Sequence, residues 1–440
     1  MSHDDLKRSG FKHRTRIAEA RERLLAALTS TDRTESVPLG SADGRVLAES
    51  ITAGVPVPGY DRAAMDGWAV RAEDTFGASD RSPAILRQHA DAETDSAAPA
   101  DVDSVPPGEA VRVHTGSAMP GGADAVVMIE HTEAVGTEVE VFDAVAEGEN
   151  VGDAGEDVAV GQRLYDPGHR LRPSDLGLLK SVGIDTPEVY AEPTVGVVPT
   201  GDEIVQHDPS PGEVIETNGL TVSQLVERWG GQATYRNIVP DDPNAIRAAI
   251  QRDLTKDVVV TTGGSSVGER DHTVEVIDEL GEVLVHGVAL KPGHPVALGV
   301  VEETPVLALP GYPVACIVNA VQFLRPAIRA VAGRESPVPD HPTTEATLAR
   351  KIDSEPGVRT FARVRLASDR ADPDAGVDDT DDTDDASDRA GRPQAIPTRA
   401  SGSGVLSSVA LADGWVVVPE DSEGIPAEAT VAVEDWEWSP

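Results

Sequence analysis

From about residue 194 onward, apolar runs and helix-period stretches alternate along the chain. "TVGVVPTGDEIV" reads as a strand and loop, and "TNGLTVSQLVERWG" as a helix starting near Asn218 and ending at Gly230–Gly231. "QATYRNIVP" follows as a strand and "DPNAIRAAIQRDL" as a helix. "DVVVTTGG" is a buried strand running into glycine, and "HTVEVIDEL" is again helix-like. Strands are expected at 283–289 and 296–301, and "VLALPGYPVACIVNAVQFLRPAIRAV" reads as a strand, a sharp turn and a long helix. Strands alternating with helices imply a mostly parallel sheet covered on both faces. The fold class expected is therefore multidomain α/β, with a three-layer α/β domain at 195–335.

Upstream, the pattern breaks into shorter pieces. A helix with a basic, polar face is expected at 13–29, and extended pieces at 40–75 are interrupted by "GVPVPGYD". Residues 80–107 turn polar and read as surface loops, while 111–114, 125–130 and 138–145 read as strands. "GHRLRPSDLGLLKSVG" at 168–183 reads as a turn and a helix, with Ser174 the expected N-cap. Downstream of "ESPVPDHP", the segments "FARVRLAS", "GVLSSVALADGWVVVP" and "ATVAVEDWEW" are β-patterned, which predicts a barrel-like C-terminal domain. An acidic Ser/Thr-containing insert at about 369–394 interrupts it and is read as a disordered loop, with no calcium-loop spacing. The domains drawn are 1–50 plus 146–194 (N-terminal helix and linking domain), 51–145 (inserted and β-rich), 195–335 (α/β) and 336–440 (C-terminal β).

Composition narrows the function classes. The formal net charge is −39, and six of the 37 basic residues are lysines (7, 12, 180, 256, 291 and 351). Such a field disfavours nucleic acid and anionic membranes. The surface resembles that of proteins from salt-accumulating halophiles, where dense counterions screen self-repulsion. It follows that any local cluster of cations needs a separate reason. No run of about 18 apolar residues predicts a membrane span. "MSHDDLKRSGFKHRTR" lacks the apolar core of a signal peptide, so none is expected. The one cysteine, Cys316, excludes an internal disulfide and fits a reducing cytoplasm, and its apolar run "VACIVNAVQFL" predicts a buried structural thiol.

In an open α/β sheet, ligands bind beyond the carboxyl ends of the strands. Three loops lie there. "PTGDEI" carries Asp202 and Glu203 behind a strand, where two acids serve either Mg²⁺ or a solvated turn. "TTGGSSVGERD" brings Gly263, Gly264 and Gly268, the hydroxyls of Ser265 and Ser266, and Asp271. Its bare amides near a helix start suit an anion, although an ordinary strand-to-helix turn has the same pattern, and neither a P-loop nor a dinucleotide fingerprint is present. "LKPGHPVALG" and "LALPGYPVAC" are paired Pro-Gly-X-Pro turns, rigid because proline sets φ and glycine makes the turn. Lys291 in the first is read as a dedicated anion binder, with His294 a second donor. A further constellation, "GYDRAAMDGWAV" with Asp66 as a turn acid and "HTGSAMPGGADAVVMIE" with Thr115, lies upstream.

Together these stretches resemble the molybdopterin molybdenumtransferases, a family that includes the E domain of gephyrin and its plant counterpart. The matching motifs are "AAMDGWAV", "TGSAMPGGADAVVMIE", "GEDVAVGQRL", "PTGDEI", "VIETNG", "TTGGSSVGERD", "KPGHP" and "LPGYPVA", in the family's order across about 12–435. The resemblance implies binding of adenylylated molybdopterin, joining of molybdate to its dithiolene, and Mg²⁺-dependent cleavage that releases AMP. It also implies a four-part homodimer with its active site between the α/β domain of one subunit and the inserted domain of the other. Contacts with a molybdopterin adenylyltransferase or acceptor enzymes would follow. Tungstate, a dianion of similar shape, is not distinguished from molybdate.

Carried over onto this chain, Asp66, Thr115 and Asp157 would face the substrate. Glu203 and Asp271 would serve Mg²⁺ and pyrophosphate cleavage, with Asp241 a further functional acid. Gly263, Gly264 and Ser266 would hold a phosphate of the substrate, and Lys291 would bind molybdate. Arg363 and Ser403 match the arginine and serine lent by the C-terminal domain, and Pro310 and Pro313 shape the pocket. The chain departs from the common pattern at His294, in place of a second lysine, at Tyr312, in place of asparagine, and at Gly404, where histidine is frequent. A non-catalytic pterin-binding or scaffolding protein of the same fold is the alternative reading. The retained acids Asp66, Glu203, Asp241 and Asp271 speak for catalysis against it. A nucleotide or competence-type enzyme sharing only the α/β domain would lack the "MDGWAV" unit and the C-terminal β domain.

Overall fold

The computed structural model describes residues 14–89, 104–263, 272–333, 341–367, 392–398 and 403–438. They divide into two units, Ser36–Val189 and a second formed by the flanking segments.

In Ser36–Val189, six short strands form one sheet: β1 (Gly67–Val70), β2 (Ala84–Gln88), β3 (Glu109–Val113), β4 (Ala125–Met128), β5 (Thr132–Val135) and β6 (Glu138–Val141). Their order is β4-β1-β3-β2-β6-β5. Trp68, Val70, Leu86, Val127, Val139 and Val141 pack into the core beneath it. Strand β2 lies where the sequence reads as loops. Leu86 is its one fully buried side chain, so the period-2 signal is a single residue long. The first helix of this unit, α1 (numbered here from Pro173–Ser181), begins with proline at its first position.

The cap of that helix differs from the expected Ser174. Asp175 reaches back to the Arg172 backbone N–H at 2.9 Å, and its carboxylate also accepts from Tyr165 Oη (3.0 Å) and the Arg172 guanidinium (3.0 and 3.1 Å) and pairs with His169 Nε2 (2.9 Å). Asp175 outcompetes Ser174 because its charge is stabilised by the helix N-terminus and by Arg172 together. Burial opposes the charged form, but these bonds outweigh it and hold the carboxyl well below the usual aspartate range. Burial and the same carboxylate push Tyr165 up to about 12.

In the second unit the central sheet contains β7 (Thr194–Pro199), β8 (Gln232–Tyr235), β9 (Val258–Thr262), β10 (Gly281–His286), β12 (Ala297–Val301) and β13 (Thr304–Leu309), with the short β11 (Leu290–Lys291) departing from it. The order is β8-β7-β9-β13-β12-β10. The first four are parallel, and β12 pairs antiparallel with both β13 and β10. Helices α2 (Asn218–Arg228), α3 (Pro243–Asp253), α4 (His272–Leu280) and α5 (Pro313–Val331) cover it. Successive residues of β9 point to opposite faces. Val258 and Val260 therefore join α2 and α5 in one core, while Val259 joins α3 and α4 in the other. Asp242 caps α3, accepting from Asn244 and Ala245 N–H. The N-terminal helix Ile17–Ala26, drawn from the sequence with the linking segment, buries Ile17, Ala20 and Leu24 in the first of these cores. Helix α5 has the length and apolarity to cross a membrane, but 89% of it is buried inside the fold, so it is a core helix. Cys316 within it is buried and free, as expected.

The C-terminal strands β14 (Thr343–Leu348), β15 (Arg359–Ala367), β16 (Gln394–Pro397), β17 (Gly414–Val418) and β18 (Thr430–Glu434) follow the order β15-β16-β14-β18-β17. Pairing of β15 with β17 closes the barrel. Within "GVLSSVALADGWVVVP" the first half is a helical turn, Ser407–Ala410, rather than strand. The acidic insert falls almost wholly outside the described residues, and Gln394 at its end already belongs to β16. Trp415 stacks on Trp436 (5.3 Å) and meets Phe361 edge-on (5.1 Å), and all three belong to the core that contains α5.

Replacing Asp175 by alanine strands several donors and is expected to cost about 3 kcal/mol, read as a lower denaturant midpoint. Because the folded carboxyl is depressed, its stabilisation is present above the unfolded value of about 4 and fades as pH falls below it. Wild type and variant should therefore converge in acid. Equal midpoints at neutral pH would refute this role.

Candidate active site

Strands β7, β9 and β13 end side by side, and the three loops that leave them touch. Thr200 N–H donates to Thr262 O (3.3 Å), and Gly263 N–H donates to Leu309 O (3.1 Å). Gly263 has φ +125°, and a Cβ there would run into the Thr200 carbonyl. A Cβ on Gly311 would lie 3.4 Å from the Gly263 Cα. At Gly263 the bareness read from the sequence as room for a ligand is thus required first by the protein's own backbone.

Beyond this rim opens a cavity of about 960 Å³. Of the residues singled out from the sequence, Glu203, Gly263, Lys291, His294, Pro310, Pro313, Arg363 and Ser403 line it. Gly264, Ser266 and Asp271 lie outside the described residues. Asp241 is not among the lining residues but stands next to them, its N–H on Asp202 Oδ1 at 3.0 Å.

The cations reach the cavity from two elements that meet. Strand β11 pairs in parallel with β15, Leu290 opposite Arg359 and Lys291 opposite Thr360. Asn319, fully buried on α5, donates to Gly293 O (2.9 Å) and to Ala315 O (2.8 Å), which pins the first Pro-Gly-X-Pro turn to the helix. Asn218 Nδ2 does the same for the second turn, donating to Gly311 O at 2.7 Å. The Ser403 carbonyl accepts from Val314 N–H at 3.0 Å, tying the barrel to the start of α5. Lys291 is half-exposed, 3.7 Å from Glu355. Arg363 is 5% exposed, and burial lowers its pKa. His294 is also lowered, first by burial and then by Arg14, with Glu355 opposing. It is therefore a neutral imidazole at pH 7.

On the acidic side, burial raises the Asp241 carboxyl, and Asp202 and Glu203 raise it further against the opposing pull of His272. Asp241 Oδ1 is buried with no hydrogen-bond partner. Among the described residues no three acidic, histidine or cysteine side chains form a complete metal cage. An all-oxygen set with one orphaned buried carboxylate oxygen nevertheless fits Mg²⁺, which is held by one or two carboxylates plus substrate phosphates rather than by a cage.

In the Ser36–Val189 unit, Asp66 and Thr115 come together. Thr115 donates to Asp66 Oδ1 through its N–H (2.7 Å) and its hydroxyl (2.8 Å). These two bonds, backbone first, lower the Asp66 pKa despite some desolvation, so it stands as an exposed carboxylate. Asp157 is exposed in the same unit, its N–H on Val57 O at 3.1 Å.

Sequence reasoning missed several participants. Thr200 and Thr262 line the cavity, are 1% and 2% exposed, and their hydroxyls have no partner. Asn218, Thr360 and Lys351 line it too. Thr200, Thr262 and Asn218 sit inside motifs already noticed, "PTGDEI", "TTGGSSVGERD" and "VIETNG", so the signal was present but attached to their neighbours.

The chain matches the MoeA N-terminal region (domain I and II) over residues 15–183, the probable molybdopterin binding domain over 196–330, and the MoeA C-terminal region (domain IV) over 385–436. It is 36% identical to a putative molybdopterin biosynthesis protein of Methanocaldococcus jannaschii, over 92% of each chain. It is 30% identical to the molybdopterin molybdenumtransferase of Bacillus subtilis, again over 92% of each. A crystal structure of the molybdopterin biosynthesis MoeA protein from Pyrococcus horikoshii superposes with a TM-score of 0.77 at 33% identity, covering 96% of this chain and 99% of that one.

Gly263→Ala is expected to destabilise the protein by about 2 kcal/mol, because it meets both a left-handed φ and the Thr200 carbonyl. Chemical denaturation checks it, and a wild-type midpoint would mean that the loops do not meet as described.

Proposed function

Since this chain belongs to the MoeA family of molybdopterin molybdenumtransferases, transferases of molybdenum cofactor biosynthesis, we propose that it inserts molybdate into adenylylated molybdopterin and releases AMP in a Mg²⁺-dependent step. One observation carries the reading. A single cavity joins the carboxyl rim of a parallel sheet to cationic groups from the β11 turn and the barrel. In a molecule of net charge −39, that convergence of Lys291 and Arg363 serves anions.

The roles follow from the chemistry of each group. Lys291, Arg363 and Ser403 bind and orient the oxyanion, and Arg363 does so from a desolvated position where its charge acts strongly. Gly263, with Gly264 and Ser266, holds a phosphate of the substrate through backbone amides and a hydroxyl. Pro310 and Pro313 keep that wall rigid. Glu203, with Asp241 near it, and Asp271 are the groups that would hold Mg²⁺. The ion, when bound, supplies Lewis-acid stabilisation of charge developing on the phosphoanhydride. Asp241, raised by burial and its acidic neighbours, is suited to hold or pass a proton at its buried oxygen. Asp66, Thr115 and Asp157 are assigned to the same reaction on the resemblance, and we infer a homodimer on the same ground and a cytoplasmic location from the lone cysteine, Cys316. The boundaries at 50/51, 145/146, 194/195 and 335/336 are our proposed subdivision. The retained acids support catalysis over a scaffolding role.

AMP release from adenylylated molybdopterin with molybdate and Mg²⁺ tests the reading. Asp271→Asn and removal of Mg²⁺ should each lower turnover on the order of 100-fold. Unchanged turnover would discard the metal role of Asp271. Lys291→Ala should raise the KM for molybdate about tenfold or more, and an unchanged KM would remove Lys291 from the oxyanion site. His294 gains charge only below its lowered pKa, so molybdate affinity should strengthen as pH falls beneath the ordinary imidazole value of about 6.5. In His294→Gln that acid-side gain should vanish; its persistence would assign it elsewhere.

A further inference from the structure

The cavity has a second chemical character besides its charge. Val214 and Ile215 line it while remaining about half exposed (53% and 50%), and Tyr312 lines it at 64% exposure. Apolar surface left open to water in a strongly acidic chain is a standing cost, removed when something flat and apolar covers it. Aromatic residues make up 3% of this protein. Two of those described line the cavity, and the other, Phe361, is 2% exposed and engaged with Trp415. Among the described residues Tyr312 alone offers the cavity an open aromatic surface.

Its position is set on every side by backbone. Tyr312 is the cap residue of α5, with φ −75° and ψ 127°, and its carbonyl accepts from Cys316 N–H at 2.9 Å. Gly311 before it is held by Asn218, and Pro313 after it has a fixed φ. The barrel backs the ring: a Cβ on Gly404 would lie 3.3 Å from Tyr312 Cδ1 and 3.6 Å from Cε1. With its backbone fixed and Gly404 against one edge of the ring, Tyr312 has only two side-chain torsions to order on meeting a ligand.

We propose that Tyr312 is a substrate-binding specificity residue whose ring stacks on a planar heteroaromatic base of the ligand. The inference rests on the reading of this cavity as the site for adenylylated molybdopterin, which offers two flat rings, adenine and the pyrimidinone ring of the reduced pterin. Stacking tolerates either, because both present a π-face. The contact is remote from the phosphoanhydride and acts on binding rather than on the chemical step.

Calorimetric titration of the full-length protein with AMP and, separately, with the free pterin 6-hydroxymethylpterin tests it, with inorganic phosphate as the anion control. Tyr312→Ala should weaken binding of one ring probe about tenfold, on the scale of one base–aromatic stack, while phosphate binding stays unchanged. The probe affected identifies the base. Tyr312→Phe should restore affinity and Tyr312→Leu should not. In turnover, Tyr312→Ala should raise the KM for the adenylylated substrate with kcat nearly unchanged. Equal affinity of wild type and Tyr312→Ala for both ring probes overturns the inference alone, as does full rescue by leucine. Failure of the wild type to bind either ring probe overturns the proposed function, and this inference with it.

Discussion

Two residues of backbone pairing organise the second unit. Strand β11 leaves the α/β sheet and lies parallel to β15 of the barrel, with Arg359 N–H on Ala289 O at 3.0 Å. Because Lys291 is in that strand and Thr360 lies opposite it, the lysine turn and the Phe361–Arg363 stretch must share one space. The cluster of Trp415, Trp436 and Phe361 continues the α/β core into the barrel, so the pairing does not stand alone. Buried aromatic contacts of this kind supply the energy, and the hydrogen bonds supply the register.

The rim on the other side of the cavity is set by close approach. Gly263 and Gly311 let three loops meet at contact distance, and Asn218 and Asn319 hold the two proline turns by hydrogen bonds to their glycine carbonyls. Rigid turns supported by side-chain amides, that of Asn319 buried, present a preformed surface, so a ligand need not order them on binding. What the cavity leaves unpaired is informative. The hydroxyls of Thr200 and Thr262 are buried with no partner, and an unmet donor in such a place costs free energy unless a ligand or water meets it. Lys291, Lys351 and Arg363 line the cavity beside Glu203, Glu216 and Asp353, so cations match acids here one for one in a chain whose net charge is −39.

The two Pro-Gly-X-Pro turns and the alternation of strands and helices were legible because proline, glycine and β-branched runs restrict the backbone locally. Helix α2 begins at Asn218 and α3 at Pro243, as the patterns indicate. Strand β2 was not legible, since its single buried residue, Leu86, leaves no alternation to read. The capping of the Pro173 helix was misread because Ser174 has the right side chain, while the decision between Ser174 and Asp175 depends on Arg172 and His169 arriving at the same place. Ser407–Ala410 was misread because four residues of one helical turn carry the same apolar content as a short strand.

The amino-acid sequence by itself determined which segments are rigid, which strands are buried on both faces, which loops are bare, and that lysine is scarce enough for Lys291 to stand out. Those properties are local, carried by backbone sterics and side-chain polarity within a few residues. Only the tertiary structure decided that Lys291, Arg363 and Ser403, up to 112 residues apart in the numbering (403 − 291), line one cavity with Gly263 and Tyr312. That convergence follows from the register of β11 on β15 and from the closure of the barrel, long-range pairings for which no short stretch of the chain carries a signal.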